Sequence, residues 1–440
     1  MNLPKFAKII FAILFISSPA YSQWFQQNSG VTYQLNYVCF VDPNTGIAAG
    51  TYGTVLRTTN GGTNWTASVI LDTNIVYRSI YFLNQNTGYI AGCILLFQPT
   101  LDAEPIIIKT TNAGVSWFSV LNDSGYTLRS LYFINSNTGF ASGGLYGNGP
   151  NYLLTTTNAG VNWQRTSPGS GYLWCISFKD ANTGFGSCLS SYFYRTTNSG
   201  LNWIWYQSIP DYLISCVTFI DANTGFLTGG NELTLDSVGH IYKTVNGGDN
   251  WNLVYTDHRG EINGARFVNS STGFAVGTLD PTALNQIPSR ILKSTNIGSN
   301  WFIDTLFNQI YGLASLYFTD PNTGYVVGGN GVILKTTTGG NLMGIVPIGK
   351  EIPREFSLAQ NFPNPFNPLT TIKFDIPKES NITITVFDIL GKEVETLVNE
   401  NVKAGEYKVS WDAGRYASGV YFYRLEAGEF ITTKKMVVIK

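Results

Sequence analysis

The sequence predicts an all-β protein, a seven-bladed β-propeller closed by its own N-terminal strand and followed by a small Ig-like antiparallel β-sandwich. Three observations carry this. RTTNGGTNW at residues 57–65 returns as KTTNAGVSW, TTTNAGVNW, RTTNSGLNW, KTVNGGDNW and KSTNIGSNW. A second phrase of the type PNTGIAAG occurs seven times, with glycines at Gly46, Gly88, Gly139, Gly184, Gly225, Gly273 and Gly324. Their mean spacing of about 46 residues is that of repeats folding as one four-stranded blade each. Beyond residue 341 both phrases stop, and alternating strands between Gly and Pro turns take over.

Ahead of the repeats, residues 1–22 carry Lys5 and Lys8, an apolar run from Ile9 to Ile16, and Ala20-Tyr21-Ser22. This is the pattern of a cleaved secretory signal, leaving Gln23 as the mature terminus. The run is too short to cross roughly 30 Å of hydrocarbon as a helix, and no later stretch is apolar enough to span.

Each unit reads as four short strands. The first ends in a phenylalanine six residues before the glycine (Phe40, Phe82, Phe133, Phe178, Phe219, Phe267, Phe318). An Asn-Thr-Gly turn follows, expected to use the positive φ that Asn and Gly tolerate. The second strand is thin, as in Phe226-Leu227-Thr228-Gly229, and suits close approach near an axis. The third is of the Thr-Val-Leu-Arg-Thr type, and the nine-residue phrase turns the chain into the fourth, which its Trp begins.

That phrase resembles the Asp-box, or BNR repeat, of sialidases, sortilin-type receptors and photosystem II assembly factors. The resemblance implies a structural turn between strands three and four, with the Trp packed between blades. The residues concerned are Asn60 and Trp65, Asn112 and Trp117, Asn158 and Trp163, Asn198 and Trp203, Asn246 and Trp251, and Asn296 and Trp301. The family's Asp is Asn in every copy, which keeps the side-chain acceptor and drops the charge.

The seventh copy, KTTTGGNLM, has Met343 in place of the tryptophan. From each box Trp to the next Asn-Thr-Gly glycine is 21 to 23 residues, and Trp24 lies 22 residues before Gly46. Trp24 therefore begins an orphan fourth strand, expected to complete the last blade and close the ring without an open edge.

Length varies between strands two and three, at residues 93–105, 144–151, 231–239 and 278–289, which places the variable loops and the blade-to-blade connections on one face. Ten residues before each glycine a ring reads Asn36, Arg78, Arg129, Trp174, Ser215, Asn263 and Ala314. It should open onto the central mouth. There Arg78, Arg129 and Trp174, with Asn36 and Asn263, are candidates to hold a carboxylate, a sugar or a peptide. The competing reading pairs the arginines with loop acids such as Asp72 or Asp123 and makes Trp174 a plug.

Composition narrows the function. With 12% charged residues and a formal charge of −1 there is no electrostatic case for nucleic acid or an anionic membrane. Five cysteines match no metal or disulfide spacing and read as small buried apolar residues, though Cys175 and Cys188 could meet across a hairpin. No metal or cofactor is expected. Asp42, Asp180, Asp221 and Asp320 begin like calcium loops but lack a closing glutamate, so they read as turn braces. Catalysis has little support. His258 beside Asp257 has no serine or cysteine to activate. Ser289-Arg290-Ile291-Leu292 lacks the proline of the sialidase arginine motif, although a carboxylate pair such as Asp236 and Glu261 is all that a glycosidase needs.

The last stretch resembles the type A C-terminal sorting domain of the type IX secretion system. The blocks that carry the resemblance run from Asn361 to Pro368, Phe387 to Val394, Gly405 to Asp412, Gly419 to Leu425, and Lys434 to the end, with Gly419, Tyr421, Lys434 and Lys435 as its signal residues. It implies passage through the periplasm, recognition at an outer-membrane translocon, and secretion or surface display. The expected organisation is signal peptide 1–22, propeller 23–341, linker 342–355 and sorting domain 356–440. The expected protein is a monomeric binding propeller for an extracellular glycan or surface protein, with an extracellular glycoside hydrolase as the alternative.

Overall fold

The computed structural model describes residues 24–67, 74–96, 103–121, 123–144, 151–166, 173–188, 192–209, 213–231, 238–258, 260–277, 289–307, 310, 312–340, 346–348, 352–367, 369–413 and 416–439. The signal segment, the tips of the four variable loops, Asp72, Asp236 and Met343 lie outside them.

Among the described residues, seven four-stranded antiparallel sheets occupy the chain up to Thr336. Their first strands are Leu35–Phe40, Ile75–Phe82, Thr127–Phe133, Leu173–Phe178, Leu213–Phe219, Ile262–Phe267 and Ser315–Phe318. Each stands beside the next in chain order, and the seventh stands beside the first. The sheets form a closed ring with these strands innermost. Almost no helix is present, a single 3₁₀ turn at Gly329–Gly331 being the one helical element described.

The constant phenylalanine and glycine explain one another. A Cβ on Gly46 would lie 2.6 Å from the Phe40 ring, and one on Gly139 would lie 2.4 Å from Phe133. The glycine is thus required by the ring lying across the backbone. None of the glycines in the six Asn-Thr-Gly turns and the Ser-Thr-Gly turn at Gly273 has positive φ, contrary to the turn expected from sequence. The turn is braced from two residues upstream instead, where Asp42 Oδ1 accepts from the Asn44 and Thr45 amides at 2.8 Å. Asn84, Asn135 and Asn269 accept the same bonds without a charge.

Positive φ is used one turn later. Gly61 and Gly62 adopt φ of 62° and 81°. A Cβ on Gly62 would meet Tyr325 of the seventh sheet at 2.8 Å, so this glycine serves both the turn and the approach of the next sheet. Asn60 Oδ1 accepts from the Asn64 amide at 2.9 Å and the Thr58 hydroxyl at 3.0 Å, while Thr58 Oγ1 accepts from the Gly62 amide at 3.0 Å. The five other box asparagines accept the equivalent amide. The fourth strand starts one residue after each box Trp, at Thr66 in the first unit.

Neighbouring sheets are joined by two repeated contacts. The constant phenylalanine stacks on the strand-two aromatic of the preceding sheet, as with Phe133 on Tyr89 at 4.8 Å and Phe267 on Phe226 at 4.4 Å. The base on strand three donates to the next box, as from Arg57 to Ala113 O (2.8 Å), Lys109 to Ala159 O (2.9 Å) and Lys293 to Gly339 O (3.0 Å). Both contacts recur where the chain ends meet, with Phe40 stacked on Tyr325 at 4.0 Å and Lys335 donating to Gly61 O at 2.6 Å.

Phe25–Gln27 supplies the fourth strand of the seventh sheet, paired antiparallel with Ile333–Lys335. Trp24, 1% exposed, meets Phe318 edge-on at 5.9 Å. Trp65 meets Phe40 in the same way at 6.0 Å. Trp24 also donates to Asp304 Oδ2 at 3.3 Å. Burial raises the Asp304 carboxyl to about 6, against the opposing pull of Lys293. An acid with a raised folded-state pKa holds its proton longer in the fold than in the unfolded chain, so its contribution to stability falls as pH climbs from about 4 to about 6. Asp304→Asn, which keeps an acceptor for Trp24, should flatten the fall in melting temperature over that window. Identical profiles in the two proteins would show that the carboxyl titrates normally.

After the ring, two further four-stranded sheets share one core. One runs Val346–Pro347, Gly405–Asp412, Leu369–Ile376, Ser357–Leu358, and the other Glu393–Val402, Ser380–Phe387, Gly419–Ala427, Phe430–Val438. Ile372, Phe374, Ile384, Trp411, Tyr423, Leu425 and Met436 fill the space between them. Strand alternation explains the pattern, since on Gly419–Ala427 every second residue from Tyr421 to Ala427 is buried. Val346–Pro347 falls in the stretch expected to be a linker. It pairs with Tyr407 and Lys408, so this sheet begins some ten residues before residue 356.

Candidate functional site

The inner strands enclose a cavity of about 1900 Å³. Asn36, Arg78, Arg129, Trp174, Ser215, Asn263 and Ala314 all line it. Strict alternation back from the constant phenylalanine would turn these seven side chains away from the axis. A β-bulge at each ring position reverses this. Leu35 faces Gly50 and Tyr37 faces Ala49, which makes Asn36 the extra residue. The same slip occurs at Arg78, Arg129, Trp174, Ser215 and Asn263. In the seventh sheet Ala314 N donates to Val327 O although Val327 is paired with Ser315. A bulge re-aims one side chain and sharpens the local twist, and here it opens the mouth.

The ring residues divide by task. Asn36 donates to Tyr77 O and Asn263 to Leu313 O, both at 2.7 Å, so each amide nitrogen is spent on the neighbouring inner strand. The Arg129 guanidinium lies 3.7 Å from the centre of the Trp174 ring. This stack holds a flat cation at the mouth in a fixed orientation. Asp123, an expected partner for the ring arginines, accepts from the Tyr126 hydroxyl at 2.5 Å and faces Arg165 at 3.7 Å.

Below the ring, side chains one and three residues further along each strand also face the axis. Tyr37, Cys39, Tyr81, Tyr132, Cys175, Cys216, Arg266 and Tyr317 are among them. Three of the five cysteines therefore line the cavity, Cys39 buried as expected and Cys175 and Cys216 only partly buried. Cys175 is paired with Ser187, and Cys188 with Leu173, so the two do not meet across their hairpin. All five cysteines are free thiols. Burial pushes the Cys39 thiol up to about 12 and raises the Cys175 and Cys216 thiols as well. These are poor nucleophiles at neutral pH.

The catalytic candidates are dispersed. Asp257 forms a buried ion pair with Arg290, which also donates to Gly260 O at 2.8 Å. The pair ties the sixth sheet, which carries Arg290, to the last strand of the fifth, which carries Asp257, and Asp257 accepts from the Tyr255 hydroxyl at 3.2 Å. Asp257 is thus committed to a cation other than His258, whose side chain is exposed. Glu261 is the one carboxylate among the described residues that line the cavity.

In the second domain, Tyr421 is buried and donates to Ala417 O at 3.0 Å. Gly419 opens the strand that pairs with the C-terminal one. Lys434 and Lys435 lie on that last strand opposite Tyr423 and Phe422, and Lys435 O accepts from Gln360 at 2.7 Å.

Comparison with known proteins assigns this domain. Residues 360–440 match the secretion system C-terminal sorting domain. A search of curated protein sequences finds no match to the chain. Among solved structures, the chain is similar to YCF48 bound to D1 peptide, with 16% identity and a TM-score of 0.55 over 72% of this chain and 98% of that one. It is similar to the GH74 xyloglucanase from Xanthomonas campestris, with 13% identity and a TM-score of 0.56, over 80% of this chain and 59% of that longer one. It is also similar to the WD40 beta propeller domain of Doa1, with 11% identity and a TM-score of 0.50, over 71% of this chain and 96% of that one. At these identities the likeness establishes the fold alone. The chain therefore carries a type IX sorting domain behind a β-propeller, and is exported to be secreted or held at the cell surface.

Proposed function

We propose that the protein is a seven-bladed binding propeller, residues 23–341, delivered by its sorting domain to recognise an extracellular ligand at the loop-face mouth of its central cavity. The observation that carries this reading is the Arg129–Trp174 stack on a bulge-widened rim, with Arg78 on the adjacent sheet. A fixed guanidinium edge beside an aromatic face suits a ligand that presents a carboxylate next to a planar or apolar group. An acidic segment of a surface protein has that chemistry. The similarity to a propeller described as bound to a peptide supports it at the level of fold.

The alternative, a glycoside hydrolase, draws on the likeness to a xyloglucanase. It requires two carboxylates flanking one bond. Glu261 lines the cavity, while Asp257 is held by Arg290 and Asp236 lies outside the described residues. That distribution favours binding.

An array of acidic peptides and acidic glycans screened with the full chain tests the proposal. Alanine at Arg78, Arg129 and Trp174 together should weaken the best binder by about 2–4 kcal/mol, as anchor residues of these types do. Unchanged affinity, with loss on mutating the opposite face around Asp180 and Asp221, would move the site there. Release of reducing sugar from a bound glycan would favour the hydrolase.

A further inference from the structure

Arg266 sits three residues beyond Asn263 on the inner strand of the sixth sheet, deeper in the cavity than the ring. Its guanidinium lies 4.1 Å from the centre of the Tyr317 ring. Stacking covers one face of the cation, and the Tyr317 hydroxyl takes part of its N–H edge. None of the ion pairs among the described residues involves it. Other arginines of the ring of sheets are neutralised or hydrogen-bonded, Arg57 by Ala113 O, Arg195 by Asp249 and Arg290 by Asp257.

Among the described residues no carboxylate is ion-paired with Arg266. Cys39, Tyr37, Cys216 and Tyr317 share its stretch of the wall. Its positive field opposes the rise that burial imposes on Tyr37, Cys39, Cys216 and Tyr317, which places all four within electrostatic reach of one guanidinium. Each of these groups is neutral at physiological pH, so none supplies the negative charge. A half-buried cation without an internal anion is costly unless an anion from outside completes it.

We infer that Arg266 forms an anion subsite inside the cavity, which takes the carboxylate or phosphate group of a ligand entering end-first from the loop face. The inference rests on the proposed use of that mouth. It adds depth to it, because the terminal acidic group passes the Arg129–Trp174 stack and is held below it. A chain end or a single acidic side chain fits this geometry. A flat acidic surface reaches the ring alone.

Cys216 offers a built-in reporter. It stands one residue below the ring on the fifth sheet, between the mouth and the level of Arg266. Because burial raises this thiol, the full chain is treated at alkaline pH, which increases the thiolate fraction, with an anionic and a cationic methanethiosulfonate, sulfonatoethyl and trimethylammonioethyl, and modification of Cys216 is followed by peptide mass mapping. With rates normalised to free cysteine, the anionic reagent should be favoured by about tenfold, the effect of one nearby positive charge in a partly desolvated site. Inorganic phosphate should slow it. Arg266→Gln should bring the preference close to one, whereas Arg78→Gln with Arg129→Gln should leave most of it. A preference that survives Arg266→Gln, or that disappears with the ring arginines while Arg266 is intact, overturns the subsite. A preference that inorganic phosphate leaves unchanged overturns it too. Loss of array binding in the ring variant with charge selection at Cys216 retained would support both sites, and retained array binding with selection intact would reject the mouth alone.

Discussion

Trp24→Ala is expected to lower the stability of the ring by about 3–5 kcal/mol, the usual cost of truncating a fully buried tryptophan. Three losses coincide there. The edge-on contacts with Phe274 and Phe318 go, the seventh sheet keeps a fourth strand without its anchor, and Asp304 loses a donor. Because Phe25–Gln27 is short and exposed on two of its three residues, the tryptophan supplies most of its hold on the sheet. Deleting residues 24–27 should do at least as much damage, by leaving Ile333–Thr336 as an open edge. Thermal unfolding monitored by near-UV circular dichroism measures both. A melting temperature unchanged in either variant would mean that the ring closes by some other contact.

The second large effect concerns export. Removing the C-terminal domain should leave the ring folded and strand it in the periplasm, because the two β-systems have separate cores. The cut belongs after residue 340. Truncation at residue 356 would leave behind Val346–Pro347, a strand whose partners Tyr407 and Lys408 have been deleted. Immunodetection in periplasmic and extracellular fractions reports the outcome. Full release of the truncated chain to the exterior would remove the domain's role in sorting.

Much of the site was legible because the repeats act as an internal ruler. Counting ten residues back from each glycine found Arg78, Arg129 and Trp174, and the cavity wall contains them. The ruler said nothing about what each residue does. Asn36 and Asn263 look the same as candidate ligands until their amides are found spent on Tyr77 O and Leu313 O. Arg266 went unnoticed because the level three residues below the ring holds Cys39, Tyr81, Tyr132, Ser177, Thr218, Arg266 and Tyr317, with no pattern to draw the eye. Cys175 and Cys216 misled for a related reason. A small, weakly polar side chain suits a core and a cavity wall equally, and composition does not separate the two.

By itself the sequence determined the number and order of strands, the constant turns, the displaced tryptophan and the export signal. These follow from local chemistry, which a repeat states several times over: Asn and Thr side chains that brace their own turn, and a glycine spacing that reserves room for a phenylalanine ring. Only the tertiary structure decided which way the ring residues point. Alternation along the strand would send Arg78, Arg129 and Trp174 between the sheets, and a single extra residue in the pairing of each inner strand sends them to the axis instead. A bulge is a property of two strands in register, so it leaves no trace in the residues of either one alone.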